Sequence, residues 1–430
     1  MTTIGALLPA ILGTRWVVTG PLLASTVGAW LVLSTALLAH ESSGLLASDL
    51  VSGVFAVLLC VWWVHTTRAT PRWLLAALGS WLLLAPLLFW APHVSLCLND
   101  LLAGTLLITA AAIIPTVQAA DGDNAIPPDW DYNPSAWSQR IPISLLALAG
   151  FAMSGYLAAF QLGYIDRAAD PLFGAGTERV LTSDISRWFP VSDAGLGALS
   201  YLLEALTGFI GDRRRWRTMP WMVLLFGVMI IPTGAVSIVL VVLQPIGVGS
   251  WCTLCLATAA VMLLMVSPAL DEVIATCQAL RRSRRRGENW WAAIFQGVDE
   301  PGALRPSPVQ PAMTSGIWPW HLVLATMAGT WLMGAPYVTG SAGTAAGNSD
   351  HLAGALAVTV AVIAIGDVAR MLRWLLLPIG LWVVMSAWWL PGATSQSAWN
   401  AVIIGGVFIG GSLLRGRVAR HFGTWDRLIR

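Results

Sequence analysis

The feature that most constrains this sequence is a succession of long apolar runs separated by short polar links. A helix needs about 20 apolar residues to cross the hydrocarbon core of a bilayer. Twelve runs approach that length, at residues 16–40, 50–64, 73–90, 96–117, 141–162, 196–210, 221–244, 251–266, 318–338, 350–368, 373–390 and 399–414. We therefore predict an all-α polytopic membrane protein with about 12 transmembrane helices.

The composition excludes a large soluble domain. The chain is 57% hydrophobic and 11% charged over 430 residues, whereas soluble domains carry about 25% charged residues. Such a chain cannot bury its apolar surface in a water-soluble globule, so the lipid bilayer is its solvent. The formal charge is only +2, and the arginines form short clusters between apolar runs. We therefore expect no nucleic-acid partner.

The arginines predict the orientation, because cytoplasmic links carry an excess of basic residues. With a cytoplasmic N-terminus, the inside links and tail hold most of them: Arg68, Arg72, Arg140, Arg213, Arg214, Arg215, Arg217, Arg281, Arg282, Arg284, Arg285, Arg286, Arg370, Arg373, Arg415, Arg417, Arg420, Arg427 and Arg430. The outside links hold mainly Arg167, Arg179 and Arg187. The pattern predicts that both termini are cytoplasmic. We expect the protein in the inner (cytoplasmic) membrane of a bacterium.

An internal repeat organises both ends of the chain. A shift of 301 residues superposes identical residues without a gap: Gly28/Gly329, Trp30/Trp331, Asp49/Asp350, Gly53/Gly354, Arg72/Arg373, Trp73/Trp374, Gly79/Gly380, Trp81/Trp382, Asn99/Asn400 and Gly104/Gly405. A shift of 51 residues superposes Gly28/Gly79, Trp30/Trp81, Asp49/Asp100 and Gly53/Gly104. The repeating unit is a two-helix hairpin, with small residues where its helices approach each other.

These flanking hairpins resemble the SPW-repeat family of membrane proteins. The resemblance rests on Gly-x-Trp followed by Ala85-Pro86, Ala335-Pro336 or the more degenerate Ser386-Ala387-Trp388. It assigns one repeat pair to residues 16–118 and a second, with a cytoplasmic tail, to residues 317–430. The resemblance implies a structural module and no particular activity.

The central block contains the motif Cys252-Thr253-Leu254-Cys255 at the outer start of an apolar run. Amides at a helix N-terminus stabilise a thiolate, which is the reactive form in disulfide exchange. The outer compartment is also where disulfides persist. The residues alone leave three readings: a redox-active pair, a structural disulfide, or inert thiols. We expect no metal, since zinc needs about four ligands and the block contains no histidine.

The central block, assigned to residues 133–296, resembles the vitamin K epoxide reductase family over about residues 141–270. Members of this family are four-helix membrane enzymes that couple disulfide formation to quinone reduction. The matching features are the Cys-x-x-Cys that opens the fourth helix, the turn Arg215-Trp216-Arg217, the outer loop Thr177-Glu178-Arg179-Val180-Leu181-Thr182-Ser183 and the run Gly197-Ala198-Leu199-Ser200-Tyr201. The resemblance implies a quinone of the ubiquinone or menaquinone type as cofactor. It also implies an extracytoplasmic thioredoxin-like protein as partner.

The resemblance further implies roles for individual residues. Cys255 would face the quinone, and Cys252 would exchange disulfides with other thiols. Ser183 would be the loop serine. Asp193 would lie where the family often has an asparagine that touches the quinone carbonyl.

Two further candidates share a helix face with Asp193. Helical spacing places four residues on one face of a helix: Asp193, Gly197, Tyr201 and Glu204. We therefore predict that Tyr201 and Glu204 bind the quinone together with Asp193 and Ser183. A carboxylate inside the membrane is by default a functional candidate. The alternative for Glu204 is a structural bond to a neighbouring helix.

The chain departs from the family at two places. The family relays electrons through two loop cysteines, whereas residues 163–193 contain none and Thr177 occupies the position of the second. Ala259 stands where the family usually has an aromatic residue, four positions after the last cysteine. Two functions therefore stay open: a quinone-coupled thiol–disulfide oxidoreductase, or a non-catalytic scaffold or quinone- or lipid-binding subunit that keeps the fold.

Overall fold

A computed structural model describes residues 4–38, 42–66, 69–112, 126–299, 319–418 and 420–429, with side chains from residue 20 onward. The predicted domain boundaries at residues 118 and 317, and the arginines Arg68 and Arg430, lie outside this part of the chain. The chain divides into two compact units. The first comprises Met1–Gly122, Gly155–Arg167 and Ser186–Leu199, and the second comprises Asp123–Ser154, Ala168–Ile185 and Ser200–Arg430.

The described chain is helical and contains no strand. Its long helices are α1 (Ile4–Leu37), α2 (Ser43–His65), α3 (Thr70–Leu88), α4 (Val94–Ala112), α5 (Trp137–Gln161), α6 (Asp193–Phe209), α7 (Pro220–Leu243), α8 (Thr253–Arg285), α9 (Trp320–Thr339), α10 (Ala345–Ile365), α11 (Leu376–Trp389) and α12 (Ser395–Leu413). A 3₁₀ segment, Asp367–Leu375, leads into α11. Short helices lie at Gly176–Leu181, Arg215–Thr218, Trp290–Gln296 and Asp426–Ile429.

The predicted all-α polytopic membrane architecture is confirmed. Within the described residues, 10 helices are long and apolar enough to cross a membrane. The other two predicted spans correspond to α6, with 17 residues, and to α12, with 19. An exact count of twelve crossings stays a prediction.

The first unit contains the N-terminal repeat. Helices α1 and α2 form one hairpin and α3 and α4 the other, with α2 against α3 and α1 against α4. Glycines allow each hairpin to close: a methyl group at Gly28 would lie 2.8 Å from the carbonyl oxygen of Gly53, and one at Gly53 would lie 2.7 Å from that of Gly28. Gly79 and Gly104 face each other in the same way.

The C-terminal repeat, within the second unit, has the same arrangement. Helix α9 pairs with α10 and α11 with α12, while α10 contacts α11 and α9 contacts α12. The close glycine pairs are now Gly329/Gly354 and Gly380/Gly405. The tryptophan hydrogen bonds recur too: Trp30 Nε1 donates to Asn99 (2.8 Å) and Trp331 Nε1 to Asn400 (2.9 Å), Trp81 Nε1 to Ser48 and Trp382 Nε1 to Ser349 (both 2.9 Å). The sequence repeat is therefore also a repeat of helix packing.

The central helices α5 to α8 share one buried core within the second unit. Each helix contributes to it: Ile143, Ala147, Tyr201, Ala205, Phe226, Ile230, Met262, Met265, Val266 and Ala269. The Tyr201 ring fits against Gly150, where a methyl group would lie 2.5 Å from it. At the end opposite the cysteines, Arg215 and Glu272 form a buried ion pair of 2.5 Å. These contacts position α8, which carries the cysteine pair at its first turn.

Candidate redox site

Cys252 and Cys255 form a disulfide at the start of α8, with their Cα atoms 5.3 Å apart. That separation lies within the usual range for bridged cysteines. Cys252 is the N-cap residue, and its sulfur accepts a hydrogen bond of 3.1 Å from the Cys255 amide. Cys252 is fully buried, while Cys255 is partly exposed. The pair therefore lies at the helix start that the sequence predicted.

A tight turn between α7 and α8 places the pair at this position. Helix α7 ends in a π-helical turn, Gln244–Val248, and Gly249 follows with φ +68°. Only glycine adopts this left-handed conformation without strain. The Gln244 side chain then accepts a hydrogen bond of 3.0 Å from the Cys252 amide. One residue of the turn thus holds the backbone of the buried cysteine.

The predicted outer loop, residues 163–193, is joined to the start of α8 by Asp170, a residue that was not identified from the sequence. Its carboxylate accepts hydrogen bonds from the Thr177 amide (3.0 Å) and hydroxyl (2.7 Å). It also accepts a bond from the Thr253 hydroxyl and a weaker one from the Thr253 amide (3.4 Å). Burial alone would raise the pKa of Asp170, but these bonds and those from Phe173 and Leu172 outweigh it, so the pKa lies well below its usual range. Asp170 is therefore ionised and links loop to helix.

Residues 141–269 match the family model described as the vitamin K epoxide reductase family. This segment is a vitamin K epoxide reductase family domain. Residues 319–415 match the model of the SPW repeat domain. No curated protein and no solved structure matches the chain.

Both predicted resemblances are thereby confirmed for the matched ranges. The N-terminal hairpins lie outside them, so their assignment to the SPW family stays a prediction that rests on the shared helix packing. The boundaries 16–118, 133–296 and 317–430 also stay predictions. Members of the reductase family are associated with quinones, and the membrane helices require a lipid bilayer.

Thr177, which the resemblance predicts to occupy the position of the family's second relay cysteine, is part of a hydrogen-bonded link between the loop and α8. Thr177 is fully buried and is joined through Asp170 to Thr253, which lies between the two cysteines. The neighbouring Gly176 is tight against the helix start, because a methyl group there would lie 2.0 Å from the Trp251 carbonyl oxygen. The loop therefore contacts Trp251 and Thr253, the residues on either side of Cys252.

Trp251, directly before Cys252, lies between the outer loop and the C-terminal repeat. Its ring stacks on Phe173, with centroids 6.1 Å apart. It also meets the edge of His351, with centroids 4.9 Å apart. His351 is buried, and its Nδ1 lies 3.3 Å from the Met333 carbonyl oxygen. The repeat thus supports one flank of the cysteine pair, a contact that no sequence pattern indicated.

A cavity of about 640 Å³ opens beside this flank. Helices α7 and α8 of the reductase-family domain form one wall, and α9 and α10 of the SPW repeat form the other. The α8 wall begins at Leu256, next to Cys255, and includes Ala259. The volume is typical of sites for small organic ligands.

Two of the predicted quinone-binding residues lie on the inner side of α8. The Tyr201 hydroxyl donates to the Thr258 carbonyl (2.7 Å), and the Thr258 hydroxyl donates to the Cys255 carbonyl (2.9 Å). Glu204, one turn further along α6, is fully buried, and neither carboxyl oxygen has a hydrogen-bond partner among the described residues. Tyr201 is thus joined through Thr258 to the helical turn that carries Cys255.

The other two predicted residues serve local structure. The Ser183 hydroxyl donates to the Val180 carbonyl (2.7 Å) within the outer loop. Asp193 belongs to the first compact unit, where its Oδ1 accepts bonds from Gln161 (2.5 Å), Ser186 (3.2 Å) and the Ala194 amide (2.8 Å). These bonds engage one oxygen of Asp193. Its predicted contact with a quinone stays a prediction.

Proposed function

We propose that this protein is a membrane thiol–disulfide oxidoreductase that passes electrons from an extracytoplasmic thioredoxin-like protein to a membrane quinone. One observation carries the proposal: a Cys-x-x-Cys disulfide caps a membrane helix within a vitamin K epoxide reductase family domain. The apolar cavity beside the pair supports a lipid-soluble electron acceptor. We place the pair on the outer side of a bacterial inner membrane, with both termini cytoplasmic.

The cysteines carry the electrons in this proposal. A thiolate of the partner attacks Cys252 Sγ, and Cys255 leaves as a thiolate. The second partner thiol then breaks the mixed disulfide, so the partner is oxidised and both cysteines are reduced. Their return to the disulfide releases two electrons and two protons. A quinone, when bound, supplies an acceptor for both.

The helix start favours Cys252 as the exchanging sulfur. In the disulfide the Cys255 amide already points at Cys252 Sγ. In the reduced pair the same amide and the positive end of the helix would stabilise a Cys252 thiolate. Cys252 is fully buried in the disulfide, so exchange would require it to become exposed, and the Asp170-linked loop fastened to this helix start is the segment that we expect to move.

The buried Glu204 fits a site that handles protons. Its carboxyl is fully buried, and neither oxygen has a hydrogen-bond partner among the described residues. Burying an unpaired carboxylate is costly, so the neutral, protonated form is favoured there. Glu204 would hold a proton, and Tyr201, fixed to the Thr258 carbonyl, would position the inner face of α8 around Cys255.

A pair of serine variants tests the proposal. We expect Cys255→Ser, expressed in membranes with the partner protein present, to accumulate a mixed disulfide between Cys252 and a thioredoxin-like protein, visible on a non-reducing gel. The matched variant Cys252→Ser should accumulate none, because it lacks the exchanging sulfur. Equal adducts in both variants, or none in either, would exclude this division of roles.

One alternative has its own supporting observation. The outer loop lacks both relay cysteines, and Thr177, Asp170 and Thr253 lock it over a fully buried Cys252. That arrangement also suits a non-catalytic scaffold or a quinone- or lipid-binding subunit with a permanent disulfide. Wild-type cysteines that keep one redox state under every quinone and thiol condition would favour this alternative.

A further inference from the structure

The cavity lies between two modules, the reductase-family domain and the SPW repeat, and each module contributes one wall. The two family matches cover these modules separately. The reductase-domain face of the cavity is formed by Leu256, Ala259, Ala260 and Leu263, which lie on one side of α8 at helical spacing. Its repeat face includes Thr330, Gly334 and Thr359. The repeat therefore completes a space that the four-helix block alone would leave open.

The lining of this cavity suits a hydrocarbon chain. None of its residues is charged. The Thr330 hydroxyl donates to the Thr326 carbonyl (3.0 Å) and the Thr359 hydroxyl to the Ala355 carbonyl (2.8 Å). Because each hydroxyl proton is donated within its own helix, neither is available to hydrogen-bond a polar ligand in the middle of the cavity. A phosphate headgroup would find no cation there.

The α8 wall of the cavity extends along the helix away from the cysteine pair. Leu256 follows Cys255 in sequence, and Leu263 lies seven residues further along α8, about 10 Å deeper at the helical rise. Ala259 lies four residues after Cys255, about 40° away around the helix. A ligand chain that enters past Ala259 would thus extend from the redox turn into the interior of the membrane.

The small side chain of Ala259 leaves the cavity open next to the cysteine pair. The resemblance to the reductase family predicts an aromatic residue at this position, whereas this chain has an alanine that lines the cavity. A large ring at residue 259 would occupy space next to Cys255. The alanine and the added repeat thus occur together on the two sides of one cavity.

We propose that this cavity binds the polyprenyl chain of the quinone whose ring approaches Cys255, so that the SPW repeat acts as the chain-binding half of the quinone site. This inference rests on the proposed function for the identity of the ligand. It assigns to the C-terminal repeat a role in substrate selection: quinones with a prenyl chain are preferred over the same ring without one.

Photolabelling tests the location independently of turnover. The probe is a quinone with a diazirine on its second isoprene unit, added to purified protein in lipid nanodiscs, and the adducts are mapped by peptide mass spectrometry. We expect adducts on α8, α9 and α10 near Leu263, Thr330 and Thr359. Ala259→Phe should reduce them at least fivefold. Ala235→Phe, on the exposed face of α7, is the matched control and should retain them.

A second variant keeps the inference testable if Ala259→Phe fails to fold. Gly334→Leu enters the cavity from the repeat, where a methyl group would meet no atom within 4 Å, and it should also reduce labelling. Adducts confined to other helices would overturn the inference. So would a photoreactive phospholipid acyl chain that labels the cavity and is not displaced by excess prenylated quinone.

Kinetics separate this inference from the proposed function. The reoxidation rate of the reduced pair is measured with a prenylated quinone and with the same ring lacking the chain. We expect the preference for the prenylated quinone to fall at least fivefold in Ala259→Phe and in Gly334→Leu. An unchanged preference would reject the cavity as the chain site while the oxidoreductase stands. Failure of both quinones to oxidise the wild-type pair would reject the proposed function, and photolabelling would still decide the cavity.

Discussion

We expect Asp170 to control access to the cysteine pair, because it fastens the loop to the helix start that carries both cysteines. Its carboxylate joins Thr177 of the outer loop to Thr253 of α8. Because its folded-state pKa is depressed, the stabilisation is complete above the ordinary carboxyl pKa of about 4. It is lost only as the pH falls through the lower folded-state value. The loop is therefore expected to stay fastened across the physiological pH range.

Replacing Asp170 should loosen the loop and expose the disulfide. Asp170→Asn removes the charge that strengthens these bonds, at a cost of about 1–2 kcal/mol, so we expect reduction of Cys252–Cys255 by a water-soluble phosphine to become roughly 5- to 30-fold faster. The rate is followed by maleimide labelling in membranes at pH 7. The control is Asp184→Asn, an exposed aspartate of the same loop, which should react like wild type. Equal rates in all three proteins would show that Asp170 does not control access.

The sequence predicted the cysteine pair and missed Asp170, which joins the loop to the helix turn that carries the pair. The Cys-x-x-Cys spacing is local and carries its chemistry with it, so Cys252 and Cys255 could be identified directly. Asp170 and Thr253 are separated by 83 residues, and no periodic pattern connects them. The dipeptide Asp170-Pro171 indicates a turn, but it says nothing about which helix the turn will meet.

At the scale of helices, close glycine pairs define both repeats. In the C-terminal repeat, a methyl group at Gly405 would lie 2.7 Å from the Gly380 carbonyl oxygen and 2.6 Å from the Val384 side chain. The backbone atoms at this contact cannot move apart to accept a methyl group without separating α11 from α12. The repeat shift of 301 residues revealed these positions in the sequence, because each one needs a residue without a side chain. Their reciprocal contact across the hairpin appeared only in the structure.

Two adjacent glycines of α12 provide a matched test of this packing. Gly405→Ala forces a methyl group into the contact with Gly380, which should destabilise the protein by about 1–3 kcal/mol. Gly406→Ala meets no atom within 4 Å, so it should be neutral or should stabilise the helix by up to about 1 kcal/mol. Thermal unfolding in detergent compares the two. A similar loss of stability in both variants would contradict the reciprocal glycine contact.

For the whole molecule, the all-α membrane architecture followed from the apolar run lengths, while the contacts between modules did not. The contact of His351 with Trp251 and the cavity behind it join residues about 100 positions apart in two modules. Sequence patterns describe each module alone, because periodicity reports which face of a helix is apolar and not which neighbour covers that face. The role of the C-terminal repeat could therefore be inferred only from the structure.

The predicted orientation can be tested with reporter fusions. Fusions at Gly44, Leu172 and Gly343 should report the outside, and fusions at Ala69, Gly287 and the C-terminus should report the cytoplasm. The reason is the excess of arginine in the links that would face the cytoplasm. Leu172 lies in the loop above the cysteines, so its position decides which compartment supplies the partner thiol. The same report from Leu172 and Gly287 would contradict the four-helix arrangement of the central block.

The central claim is that the Cys252–Cys255 pair exchanges electrons with a quinone, and its redox state in isolated membranes tests this most directly. The pair is reduced, the reductant is removed, and free thiols are counted by maleimide mass labelling with and without added quinone. A Cys252→Ser/Cys255→Ser double variant gives the background from Cys60, Cys97 and Cys277. We expect the pair to stay reduced in quinone-depleted membranes without oxygen and to lose both thiols when quinone is added. Thiols that persist with quinone present, or that oxidise equally without it, would contradict the account.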